Sequence, residues 1–132
     1  METVSNILFH AHSGLRYLVL LAGLLSFSYS LVAALRGRPW NGVGRWLLLL
    51  FVALLDLQIL LGIALAIFGV FYPMLWGHIV MMVLAAAAAH VASVVNKRRP
   101  RERRSHMTAA LGAAGALILI VGGITAIGRS VV

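Results

Sequence analysis

His12 and His78 are the residues of this chain best placed to do chemistry. They lie in different apolar stretches, near the same predicted membrane face, and His10 stands two residues before the first of them. Ionisable side chains within membrane spans are costly and mark function. Two imidazoles from separate helices at matched depth form a ligand set for a haem iron or another metal. Arg16, one helical turn from His12, is a cation for a haem propionate. Met82, one turn from His78, is a further axial donor. A second chemistry is also open. His10, His12 and His78 together suit copper or zinc at the outer surface, provided the first turn is unwound so that His10 and His12 converge.

At 100° per residue, His12, Arg16, Val19, Gly23, Ser26 and Ser30 share one stripe of the first helix. Polar and small residues in a membrane helix face its neighbours, so the stripe points inward. His10 then points away from His12. On an alternative reading, His12 and Arg16 are interfacial residues snorkelling to water. In the third apolar stretch His78, Met82, Ala85, Ala89, Ala92 and Asn96 share a face, whose alanines either pack tightly or leave room for a flat cofactor. His90 is about 18 Å along the axis from His78 and cannot share its metal. With His106 it offers a second, inner site, although an interfacial role for His106 beside a basic loop is the simpler reading. Asp56 and Gln58 fall near mid-bilayer and point opposite ways. Gln58 shares a face with Gly62 and is expected to hydrogen-bond to a neighbouring helix. Asp56 then needs a histidine or water as its partner.

The elements that position these residues follow from composition. Of 132 residues, 62% are hydrophobic, and a hydrocarbon core takes about 20 apolar residues per helix. Four spans are expected, over about 7–35, 46–70, 74–96 and 106–127, with Ser5 or Asn6 capping the first. Short connections predict an all-α membrane protein, an antiparallel up-down-up-down four-helix transmembrane bundle in one domain. Gly112, Gly115, Ala116 and Gly123 mark a packing face on the fourth helix. No cysteine is present, which excludes disulfides, thiolate metal sites and c-type haem attachment. The first six residues carry Glu2 and no Lys or Arg, so the first apolar run is expected to be a retained span and not a signal peptide.

Nine of the 11 Lys and Arg residues lie in segments 36–45 and 97–104, on one side of the predicted bundle. The positive-inside rule makes these loops cytoplasmic and both termini periplasmic, in a bacterial inner membrane. Trp40, Trp46, Tyr72 and Trp76 fall at predicted interfaces. The net charge of +8 is explained by topology and by anionic lipid at the basic loops, not by nucleic acid.

The run His10, Ala11, His12, Ser13, Gly14, Leu15, Arg16, Tyr17 carries a family resemblance. So do Asp56, Leu57, Gln58 through Gly62, and Gly77, His78 through Met82 followed by His90. Together they resemble small four-span bacterial membrane proteins labelled cytochrome b-like. The resemblance covers most of the first three spans and implies a bundle binding haem b, with His12, His78 and His90 as matching positions. This chain departs from the pattern at Asp56, where a histidine is common.

The leading expectation is a small b-type cytochrome passing electrons between quinone and a partner, or serving as a haem-bearing subunit. One alternative is a non-redox accessory or assembly subunit, packing in a larger membrane complex or as a homo-oligomer. Another is a proton-linked transporter using Asp56. No nucleophile–base pair or acid pair points to a stand-alone enzyme, so an electron carrier or subunit is expected instead.

Overall fold

The computed structural model describes residues 2–68, 75–100, 103 and 105–126. Four helices account for nearly all of them: α1 (Glu2–Leu35), α2 (Gly42–Phe68), α3 (Leu75–Arg98) and α4 (His106–Ala126). Each is long and apolar enough to cross a membrane, and no strand occurs among the described residues. The short connection expected between the second and third spans, with Tyr72, lies outside the described residues.

Helix boundaries follow local capping chemistry. α1 ends in a Schellman motif. Gly37 takes φ +67°, its N–H bonds the Ala34 carbonyl at 3.0 Å, and the Arg38 N–H bonds the Ala33 carbonyl at 2.9 Å. Asn41 caps α2, its Oδ1 accepting the Gly44 N–H at 2.9 Å. This cap starts α2 at Gly42, four residues earlier than the apolar run at Trp46 suggests. α1 begins at Glu2, so Ser5 and Asn6 lie inside the helix and do not cap it. Ser105 caps α4 by accepting the Thr108 N–H at 3.1 Å. Asn96 closes the α3–α4 connection, donating to the Ser105 carbonyl at 2.9 Å and accepting the Ser105 N–H at 3.1 Å.

Contacts pair opposite helix ends. His78 near the start of α3 meets Gly123 near the end of α4, and Ala92 meets Gly112. Asn41 before α2 reaches Tyr29 near the end of α1 at 2.8 Å. These registers fit the up-down-up-down arrangement. α3 and α4 touch most, α1–α2 and α1–α4 less, and the α2–α3 seam is the loosest of the four.

The core is built from Phe51, Leu55 and Val19 together with Ala85, Ala89, Ala113 and Ala116, all buried. Large apolar side chains such as Leu18, Leu21, Leu24 and Leu60 face outward. Small residues inside and leucines outside is the pattern of helices associating in lipid, where close packing and not burial from water drives association. Ser26 and Ser30 are fully buried on the α1 stripe, and Phe51 packs over Gly23 on the same stripe. The stripe therefore faces inward as expected. The alanine face of α3 does not leave room for a flat cofactor. A Cβ on Gly112 of α4 would collide with the Ala92 Cβ, so the two backbones are in close contact there.

Candidate functional site

A cavity of about 360 Å³ lies in the half of the bundle away from the basic loops. α1 contributes His12, Ser13, Arg16 and Val19; α2 contributes Leu55, Gln58, Gly62 and Ile63; α3 contributes His78, Met82 and Val83; α4 contributes Ile120 and Ile124. Its walls are mostly apolar with a few convergent polar groups, which is the usual make-up of a small-molecule site. Ile63 and Val83 also face outward, at 47% and 52% exposure, so the cavity opens along the loose α2–α3 seam.

Both histidine rings are held by backbone carbonyls. His12 Nδ1 lies 3.1 Å from the Gln58 carbonyl, and His78 Nδ1 lies 2.9 Å from the Gly123 carbonyl. A carbonyl oxygen only accepts, so each Nδ1 carries the proton and donates it. Nε2 then bears the lone pair in the neutral ring. Metal-ligating imidazoles show this same arrangement, with the second ring nitrogen donating to a carbonyl or carboxylate. In this tautomer each ring presents the nitrogen that a neutral imidazole uses to ligate a metal.

The α1–α2 contact that positions His12 is reciprocal. Gln58 Nε2 donates to the His12 carbonyl at 2.7 Å while His12 Nδ1 donates to the Gln58 carbonyl. His12 sits over Gly62, where a Cβ would lie 3.1 Å from its Cε1. Gln58 is only 6% exposed, and its Oε1 makes no hydrogen bond among the described residues. A buried amide oxygen lining a cavity is a ready acceptor for a ligand hydroxyl or a water. Arg16 lines the same cavity. Its guanidinium donates to the Tyr17 hydroxyl at 2.9 Å and lies over that ring, 4.8 Å from the centroid.

The remaining candidates lie elsewhere. His10 is exposed and packs edge-on against Phe9, with ring centroids 5.7 Å apart. α1 is continuous through His10 and His12, so the unwound turn needed to bring the two together is absent, and no group of three metal-binding side chains occurs among the described residues. His90 does not line the cavity. Its Nε2 donates to both carboxylate oxygens of Asp56 at 2.9 Å, so the partner anticipated for Asp56 is this histidine. His106 does not join His90 in a second site. It is 1% exposed, donates through Nε2 to the Pro39 carbonyl at 2.9 Å, and packs against the Trp40 and Tyr29 rings. It latches the start of α4 to the α1–α2 connection. Trp46 stands exposed at the start of α2 with Arg45 over its ring, as an interfacial anchor does.

The chain matches no family model, no curated protein and no solved structure.

Two features of the cavity are not visible in the sequence. α4 lines it through Ile120 and Ile124 and supplies the carbonyl that orients His78, although its sequence shows only packing residues. Gly62 shapes the seat of His12. Its place on the Gln58 face is the signal that could have found it.

Proposed function

We propose that this chain is a small b-type cytochrome-like membrane protein that holds haem b through His12 and His78. The observation that carries the reading is the pair of cavity-lining imidazoles, each with Nδ1 committed to a backbone carbonyl. When bound there, haem would supply one-electron redox chemistry, with His12 and His78 as its protein ligands. The residues of the chain do the rest. Gln58 ties α1 to α2 at the level of His12, and Gly62 leaves space for its ring. Met82 and the two α4 isoleucines keep the cavity apolar and exclude water. Arg16 supplies positive charge for a propionate. The cytochrome b-like resemblance of the His12 and His78 segments supports the same assignment.

In this reading the protein resides in the bacterial inner membrane, with segments 36–45 and 97–104 on the cytoplasmic side beside anionic lipid. It exchanges electrons with quinone or with a larger membrane complex. Protein purified from haem-replete cells is expected to be red, with a visible spectrum that changes on adding dithionite and a pyridine haemochrome of the b type. His12→Ala or His78→Ala abolishes the spectrum, whereas His10→Ala retains it. A colourless preparation from haem-replete cells overturns the proposal.

A further inference from the structure

We propose that the outer face of the α2–α3 seam is an interface with a second copy of this chain, centred on the Asp56–His90 pair. The inference is independent of the haem reading. Asp56 lies about 21 Å from Gly42 and about 18 Å from Phe68 along α2, at 1.5 Å per residue. That places it deep within a hydrocarbon layer about 30 Å thick. Yet its side chain is 45% exposed and that of His90 is 48% exposed, on the outside of the bundle. Ionisable groups at this depth normally face the bundle interior or a water-filled cavity. Here the pair satisfies only part of its capacity. Nε2 serves the carboxylate, and neither side chain makes another hydrogen bond among the described residues. The imidazole Nδ1 and the outer lone pairs of the carboxylate are left facing acyl chains, which offer no partner.

The surroundings suit a close neighbour. α2 and α3 make the sparsest contact of the adjacent helices, so the pair bridges a groove. Ala53 and Ala87, each one turn from a member of the pair, are exposed and small enough for a backbone to approach. What identifies the neighbour is depth. Copies inserted with the same orientation are related by a two-fold axis along the membrane normal, and such an axis preserves depth. The carboxylate of one copy then meets the imidazole of the other at the same level. Two carboxylates and two imidazoles alternate around the axis, and as ion pairs the Nδ1–H of each imidazolium donates to a free carboxylate oxygen of the other copy. Any other membrane helix would have to carry its own polar group at that height.

The absence of cysteine makes the test direct, because an introduced thiol is the only one in the chain. Ala87→Cys, oxidised with copper–phenanthroline in native membranes, is expected to give a covalent dimer of about twice the 14.2 kDa chain. Leu111→Cys, 66% exposed on α4, is expected to stay monomeric. Adding Asp56→Leu and His90→Leu to the Ala87→Cys chain removes polar atoms from lipid. It should leave helicity by circular dichroism unchanged while weakening dimerisation at least ~10-fold. The proposal fails if Ala87→Cys gives no dimer, if Leu111→Cys cross-links equally, or if the leucine pair leaves the dimer fraction intact. It also fails if the adduct has a mass other than twice the chain. The cross-linking comparison does not depend on how the leucine variant folds.

Discussion

Replacing Gly62 with alanine separates the stability of the bundle from the orientation of His12. A Cβ at Gly62 would stand 3.1 Å from His12 Cε1 and 3.8 Å from Nε2. Carbon atoms in ordinary contact are about 3.5–4.0 Å apart, so the ring must retreat by roughly 0.5 Å. The His12–Gln58 hydrogen bond is already 3.1 Å long. The same retreat carries it to about 3.6 Å, beyond useful geometry. Losing that bond costs about 1 kcal/mol. Alanine in place of a mid-helix glycine returns a similar amount, about 1 kcal/mol. The fold should therefore hold within about 1 kcal/mol by SDS titration in bilayer-like micelles. At the proposed haem site, affinity should fall about 10- to 100-fold, the usual cost of losing the hydrogen bond that orients a metal-bound imidazole. Haem titration followed by absorbance measures this directly. Unchanged affinity in a folded Gly62→Ala protein would refute the idea that the seat over Gly62 sets the ligand geometry.

Other substitutions probe the packing. Gly112→Val forces a side chain into Ala92 at the tightest helix contact and should destabilise the bundle by about 2–4 kcal/mol, read from SDS unfolding. His106→Ala removes the bond to Pro39 and the contact with Trp40. About 2 kcal/mol should be lost, and the 36–41 connection should become sensitive to protease. Gln58→Glu places a carboxylate where an amide donates to the His12 carbonyl and is expected to cost about 3 kcal/mol or more. Gln58→Met, which removes the unpaired Oε1 along with one hydrogen bond, should stay within about 1 kcal/mol. Thermal melts of the two variants give the comparison.

The four helices were legible because membrane spans are written in length and apolarity, and the inward stripe of α1 because small and polar residues recur at helical spacing. Boundaries were less so. The extension of α2 back to Gly42 depends on one capping asparagine amid glycines and arginines, which composition reads as loop. The opposition of Asp56 and Gln58 followed from their two-residue spacing, yet that spacing does not say which neighbour each meets. The pairing of Asp56 with His90, 34 residues away, is a property of helix rotation and not of local pattern. The burial of His106 is hidden from the sequence for a related reason, because it depends on a carbonyl at Pro39 that only the folded connection presents. At the cavity, backbone carbonyls of Gln58 and Gly123 orient the two imidazoles, and a carbonyl carries no sequence signature.

The lateral opening between Ile63 and Val83 has a consequence for how any occupant is loaded. A molecule reaching the cavity by that route comes from the acyl-chain phase, so its effective concentration is set by partitioning into lipid. Occupancy then scales with the ratio of ligand to membrane, and adding empty vesicles at constant total ligand should drain the cavity by dilution.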